Sequence, residues 1–297
     1  CGSGQSVCGR SVGIATGGKR HGMNRPPPRT KLAAEIGHKA RKRFGQHFLT
    51  DAAVIDQIVR AIAPQSGDAM VEIGPGQGAM TALLLAHLSH LHVVELDRDL
   101  VAMLQKKFNP DKLMIHSGDA LQFDFGALQP AQGKLRIVGN LPYNISSPIL
   151  FHLLPSLASI QDMHFMLQKE VVERMVAEPS SSEYGRLSVM LQYYLQMEYL
   201  MTVPGTAFDP PPKVESAFVR CVPHTQLPYI AKDTECFAKV VTMAFSQRRK
   251  TLRQALADWA GSPSQAESIL VAAGIDPQAR GEQLDVHDFV AIAEAAK

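Results

Sequence analysis

Short apolar runs recur along the first two thirds of the chain. Ala69 to Ile73, Leu91 to Glu95, Leu113 to His116, Leu135 to Val138 and His164 to Gln168 each have the length and density of a strand. Helix-compatible stretches over 79–88 and 98–108 separate the first three. Val54, Ile55, Ile58, Val59 and Ile62 fall at helical spacing behind Thr50 or Asp51, either of which can cap the helix. Such βαβαβ alternation predicts a parallel, doubly wound sheet with right-handed crossovers and helices on both faces. Helices are expected over 169–177 and, longer, 185–197, with a late strand from Ser216 to Val222. Beyond Pro223 the pattern becomes helical only, over 233–246, 248–260, 264–273 and 285–296, broken at Gly261-Ser262-Pro263 and Gly274. This stretch reads as a small all-helical domain.

Polar groups collect where the strands end. The run Met70-Val71-Glu72-Ile73 breaks into Gly74-Pro75-Gly76-Gln77-Gly78, with a helix opening at Ala79. Glycines at such a turn let backbone pass close to a ligand. Dinucleotide folds space them Gly-x-Gly-x-x-Gly; here the spacing is Gly-x-Gly-x-Gly. Glu72 stands just before the turn, and a carboxylate suits a cationic ligand better than a phosphate. Taken alone, the glycines also fit an ordinary strand-to-helix turn. Glu95 closes the next strand some twenty residues on, where α/β nucleotide folds place an acid on ribose hydroxyls. Asp119 follows the third strand, and Asn140-Leu141-Pro142-Tyr143 the fourth. A helix cap or solvated turn explains Glu95 or Asp119 singly; four such groups in register point to a ligand edge.

The Asn140–Tyr143 turn carries the most specific chemistry. Pro142 pushes Leu141 into an extended conformation with its carbonyl inward. The Asn140 side-chain oxygen beside that carbonyl offers two acceptors to an exocyclic amine, and Tyr143 offers a face for a base. The alternative is a plain turn with Ser146 or Ser147 capping the next helix. Phe208, at the mouth of the loop running into Pro210-Pro211-Pro212-Lys213, can stack on the far face of a base or serve as a buried anchor.

Charge changes the picture at both ends. Residues 1–50 hold ten of the 30 Lys/Arg but one of the 28 acids, Glu35, leaving a mildly acidic body. Residues 1–40 are expected to be a basic, disordered extension, with Arg25-Pro26-Pro27-Pro28-Arg29 an extended linker and Met23 a natural start. No apolar core follows the early charges, so no secretory signal is expected. Arg41, Lys42 and Arg43 beside Phe44 suit a phosphate backbone. Arg248, Arg249, Lys250 and Arg253 lie within about one and a half helical turns and either span phosphates or form a solvated face. No apolar run approaches a membrane span. Cys1, Cys8, Cys221 and Cys236 lack paired spacing, which favours a reducing compartment. His47 has no second histidine at ligand spacing, so no metal is expected.

From about residue 41 onward the chain resembles the rRNA adenine dimethyltransferases. Asn140-Leu141-Pro142-Tyr143 is similar to the Asn/Asp/Ser-Pro-Pro-Tyr/Phe motif of amino-methyltransferases. Arg43 to Leu49, Val71 to Gly76, Phe208 to Ser216 and Ser246 to Leu252 agree with the same family. The resemblance implies a Rossmann-like S-adenosylmethionine-dependent methyltransferase domain over 41–225 and an RNA-binding helical domain over 226–297. It implies dimethylation of two adjacent adenines near the 3′ end of 16S rRNA of the small subunit; a cytoplasmic location is expected, with a monomer as the default state. By resemblance Glu95 holds the cofactor ribose and Asp119 its adenine amine, with His47, Leu49, Gly74, Gly76 and Asn140 completing the pocket. Asn140, Leu141, Pro142, Tyr143 and Phe208 would form the catalytic set; Arg41, Lys42, Arg43, Lys213, Arg248, Arg249, Lys250 and Arg253 would meet RNA. The family often has Asn at the position of His47. Two other readings stay open: a methyltransferase of large-subunit 23S rRNA, and an assembly factor whose subunit binding outweighs catalysis. A nicotinamide oxidoreductase is more distant, because the glycine spacing is wrong.

Overall fold

The computed structural model describes residues 46–296. The extension expected over residues 1–40, and the cations Arg41, Lys42 and Arg43, lie outside the described residues. A two-residue strand, β1 (Phe48–Leu49), leads into α1 (Ala52–Ile62), capped by the Asp51 carboxylate, which accepts from the amides of Ala53 and Val54. β2 (Ala69–Ile73), α2 (Ala79–His87), β3 (Leu91–Glu95), α3 (Arg98–Lys107), β4 (Leu113–Ser117), β5 (Leu135–Asn140) and α4 (Ser146–Leu153) follow. Then come β6 (Ile160–Gln168), α5 (Lys169–Val176), α6 (Arg186–Gln192), β7 (Leu195–Val203), β8 (Phe208–Asp209) and β9 (Ser216–Pro223). Helices α7 (Thr234–Ser246), α8 (Leu252–Ala255), α9 (Ala257–Ala260), α10 (Pro263–Ala272) and α11 (Val286–Ala295) close the chain.

The main sheet runs β4-β3-β2-β5-β6-β9-β7. Its first five strands are mutually parallel, and β9 lies antiparallel between β6 and β7. Chain order reverses between β2 and β5, so their carboxyl ends open a crevice, the usual ligand position in such sheets. Both sheet faces are buried. Val71, Ile137 and Phe165 pack with α4 and α5 on one side; Met70, Val138 and Met166 pack with α1 and α2 on the other. At the opposite edge, the buried Arg136 pairs with both Asp162 oxygens at 2.9 and 3.0 Å and with Asp68 at 2.6 Å. Its guanidinium also donates to the Ile62 carbonyl at 2.7 Å, satisfying an end of α1. That fastening keeps α1 registered on the sheet, well away from the crevice.

Two expectations need correction. The helix expected over 185–197 stops at Gln192, and Leu195 begins β7 instead. Its apolar spacing is read by the sheet: Leu195 faces Pro223 and Val203 faces Ser216 across an antiparallel ladder, so tertiary pairing overrides local propensity. The helix expected over 248–260 is two short pieces, α8 and α9. The Leu252 and Arg253 amides donate to the carbonyls of Ala279 and Pro277, at 2.7 and 3.1 Å, so a later loop fixes where the helical turn starts. The helical end has its own core, built on Phe237, Leu252, Leu270 and Phe289. Tyr184, Val189 and Tyr193 from α6 and its flanks enter the same core.

Candidate active site

The glycine turn adopts what its sequence demands. Gly74, Gly76 and Gly78 all have positive φ, at 68°, 56° and 76°, where an L side chain is strained. A Cβ on Gly76 would meet the Phe48 ring at 3.0 Å, and one on Gly78 would meet Phe108 at 2.7 Å. Backbone and rings thus close tightly around the turn, and α2 starts directly behind it.

Glu95 is tied by backbone. One oxygen accepts from the Gly76 amide at 3.3 Å, the other from Asp97 at 2.8 Å. A carboxylate has about four acceptor sites, so two bonds leave capacity for a diol. Burial pushes the Glu95 carboxyl above the usual carboxylate range, and the two backbone bonds oppose that rise. Asp119 places one oxygen on the Leu121 amide at 2.9 Å. Leu96, between Glu95 and Asp97, is half exposed and lines the same cavity; the sequence reading passed over it, although an apolar residue leaving a strand between two acids was the available signal.

Glu72, a carboxylate expected to suit a cationic ligand, lines the cavity. It is buried and accepts from the Thr81 hydroxyl at 2.6 Å. Burial is the main reason that its carboxyl rises to about 7, against the pull of the Thr81 bond, with the Glu95 charge adding to the rise.

At the end of β5, Asn140 Nδ2 donates to the His47 carbonyl at 3.1 Å. The Leu141 amide donates to the Met166 carbonyl at 3.1 Å, pinning the turn to β6. The Tyr143 hydroxyl is 2.9 Å from Ser216 Oγ, a partner the sequence did not reveal. His47 stacks on Tyr143, with ring centroids 5.7 Å apart and planes inclined by 28°. Ser146 donates its hydroxyl to the Pro142 carbonyl, and neither Ser146 nor Ser147 caps α4. Phe208 is buried in the core with Leu49, and both also line the cavity. It is therefore both anchor and wall. β1 and β8 pair antiparallel, Leu49 opposite Phe208, which joins the start of the described chain to the proline loop.

These groups enclose a cavity of about 330 Å³. Its walls include His47, Leu49, Gly74, Gly76, Glu95, Asp119, Asn140, Leu141, Pro142, Tyr143 and Phe208. Glu72 and Asp97 also reach it, but among the described residues no Lys or Arg lines it.

The cations expected to meet RNA are not equivalent. Arg248 pairs with Glu282 at 3.5 Å and donates to the Ser182 carbonyl. Arg253 lies 2.7 Å from a Glu267 oxygen without hydrogen-bond alignment. Arg249, Lys250 and Lys213 are exposed and form no ion pair among the described residues. Asp285, His287 and Asp288 could together reach one ion, but Asp285 and Asp288 are engaged in capping α11.

Comparison with known proteins agrees with this geometry. The family model described as ribosomal RNA adenine dimethylase matches residues 37–297. The protein called ribosomal RNA small subunit methyltransferase A of Methylobacillus flagellatus is 60% identical over 256 residues, covering 86% of this chain and 97% of its own length. Its namesake from Janthinobacterium is 59% identical over 258 residues, covering 86% and 98%. A dimethyladenosine transferase structure from Plasmodium falciparum superposes with a TM-score of 0.70 at 25% identity, covering 83% of this chain and 96% of that one. The 23S rRNA methyltransferase ErmE shares the fold, with a TM-score of 0.63 at 23% identity, covering 84% and 98%. The chain belongs to the ribosomal RNA adenine dimethylase family.

Proposed function

We propose that the chain is an S-adenosylmethionine-dependent enzyme that dimethylates N6 of two adjacent adenines near the 3′ end of 16S rRNA during small-subunit biogenesis. The observation that carries this reading is a cavity lined by Glu72, Glu95, Asp97 and Asp119 and, among the described residues, by no Lys or Arg, closing on an Asn-Leu-Pro-Tyr turn. Such walls reject a pyrophosphate and accept a cationic adenosyl ligand. The cofactor supplies an electrophilic methyl group. Glu95 takes its ribose hydroxyls, Asp119 its adenine amine through the oxygen not bound to Leu121, and Leu96 covers the ring. Gly74 and Gly76 let the backbone approach, with Leu49 as the apolar wall.

The adenine amine is a weak nucleophile because its lone pair is delocalised into the ring. Asn140 Oδ1 and the Leu141 carbonyl accept its N–H bonds, which favours a pyramidal nitrogen aimed at the methyl donor. The His47 carbonyl holds Asn140 Nδ2, so the oxygen is the part of that amide left for the substrate. Both acceptors are neutral, and the proton leaves to solvent once the nitrogen is positively charged. Tyr143 and Phe208 replace stacking that the base gives up on leaving its RNA.

In this reading the chain works as a cytoplasmic monomer in three parts: an extension over 1–40, a methyltransferase domain over 41–225 and a helical RNA-binding domain over 226–297. Arg41, Lys42 and Arg43 contact RNA phosphates; Lys213, Arg249 and Lys250, exposed and in no ion pair among the described residues, do so directly, and Arg248 and Arg253 at the cost of an internal partner. The test is transfer of labelled methyl to small subunits lacking the modification, with large-subunit RNA as control and nucleoside analysis of the product. Dimethyladenine on small subunits alone supports the reading. Small-subunit binding without transfer would replace it with an assembly factor, and transfer to large-subunit RNA alone would replace it with the 23S activity.

A further inference from the structure

The base-stacking wall of the cavity is held from behind by a residue that does not line it. Tyr143 lines the cavity and is half-buried, with its hydroxyl 2.9 Å from Ser216 Oγ. Ser216 is fully buried and lies outside the cavity wall. Its backbone sits inside a ladder, opposite Gln168 of β6 and Val203 of β7. Just before it, the Glu215 carbonyl accepts from the Lys169 amide at 3.0 Å, and the Lys169 ammonium meets the Glu215 carboxylate at 3.0 Å. The serine hydroxyl is therefore fixed to the sheet. Among the described residues neither hydroxyl has another hydrogen-bond partner. The near end of Tyr143 follows the turn after β5. The His47 ring lies against its face at 5.7 Å, a contact that lets the ring slide, and the Ser216 bond pins the far end.

We infer that Ser216 is a positioning residue that holds Tyr143 in place for the second methyl transfer to each adenine. The inference rests on the methyltransferase reading above. In each transfer N6 gains the methyl carbon as that carbon's bond to the sulfonium sulfur breaks, and N6 then loses one proton to solvent. Adenine enters the first transfer with two N–H groups, one for Asn140 Oδ1 and one for the Leu141 carbonyl. N6-methyladenine enters the second with one. One acceptor then has no partner, and the added methyl group crowds the same end of the pocket. Orientation of the base falls to its stacking walls, and Tyr143 is the wall whose angle depends on a distant hydroxyl. Phe208 does not share that dependence, since it is buried in the core and its strand pairs with β1. Loss of the Ser216 hydroxyl therefore matters little while both N–H bonds hold the base, and more once one is gone.

Two variants delete the same hydrogen bond from its two sides, Ser216→Ala and Tyr143→Phe, and the double variant closes the cycle. Each full-length protein is checked by melting temperature. It is then used in excess over small subunits lacking the modification, at cofactor concentrations saturating for that variant. Nucleoside analysis over time gives separate rates for mono- and dimethyladenine. We expect the second transfer to slow by about tenfold in either single variant and the first by no more than about threefold, so monomethyladenine accumulates. The double variant should lose no more than either single one, because the bond is already gone. Should Ser216→Ala fold poorly, Tyr143→Phe decides by the same ratio of rates. Equal slowing of the two transfers, unchanged rates, or losses that add in the double variant overturn the inference. A wild type that binds cofactor but methylates no small subunit overturns the parent reading instead, so the two failures are distinct.

Discussion

Asn140 Nδ2 and the His47 carbonyl form a 3.1 Å hydrogen bond between residues 93 positions apart. That bond decides the orientation of an amide whose two ends differ in chemistry: with the nitrogen held by a carbonyl, the oxygen is left to accept. Asn140→Ala removes the acceptor, and Asn140→Asp replaces the held donor with a charged oxygen facing the His47 carbonyl. Both are expected to lower the single-turnover rate by about 10²- to 10³-fold, the range for losing one preorganised polar group at a reacting centre. Affinity for small subunits, measured by co-sedimentation, should stay within about threefold. A variant as active as wild type would remove Asn140 from the chemistry.

Glu95 sets a pH dependence. Its burial raises the carboxyl above the ordinary 4.5, and the diol needs the ionised form with its spare acceptor sites. Cofactor affinity is therefore full well above the raised pKa and falls as pH drops through it, earlier than an exposed glutamate would allow. Calorimetric titration with S-adenosylmethionine at successively lower pH should show that decline setting in above the range of an exposed carboxylate. Glu95→Gln should bind about tenfold more weakly at pH 8 and lose most of the pH dependence. A Gln variant that keeps the wild-type pH profile would place its origin elsewhere.

Glu72 makes the opposite use of burial. Folding raises its carboxyl from 4.5 to about 7, so between those values the native state holds a proton that the unfolded chain has released. Stability from this group is full below about pH 4.5 and declines as pH rises toward 7; above that the folded state carries a buried charge costing at most about 3 kcal/mol. Gln at this position keeps an acceptor for the Thr81 hydroxyl and cannot ionise. Glu72→Gln should therefore raise the melting temperature by several degrees at pH 8 and by little at pH 5. An equal shift at both values would show that Glu72 does not titrate with folding.

Strand ends were legible because their chemistry is local. Gly74, Gly76 and Gly78 announce positive φ, and Glu95 and Asn140 each sit where an apolar run stops. The later layer was not legible, because it depends on who meets whom. Nothing near Leu195 distinguishes a strand from the tail of a helix until β9 lies beside it. Ser216 reads as the start of a strand, and only the fold brings its hydroxyl to Tyr143. The β1–β8 pair is too short for any periodicity, yet it carries His47 to Pro210. Charge was the least informative signal. Arg248, Arg249, Lys250 and Arg253 look alike in sequence, but Glu282 and Glu267 engage the first and last.

That difference yields a test on RNA binding. A cation with no protein partner contributes its full charge to phosphate contact and releases counterions when it binds. One held by a glutamate must first give up that pair, and its removal leaves the glutamate to repel the RNA. Arg249→Gln with Lys250→Gln should weaken small-subunit affinity by about tenfold at moderate salt and reduce the slope of log affinity against log salt by roughly two. Melting temperature should not change, because neither side chain holds an internal ion pair among the described residues. Arg248→Gln should also lower the melting temperature, through the lost contacts to Glu282 and the Ser182 carbonyl. Equal affinity and salt slope for the Arg249/Lys250 double variant and wild type would show that this face of the helical domain is solvated rather than bound to RNA.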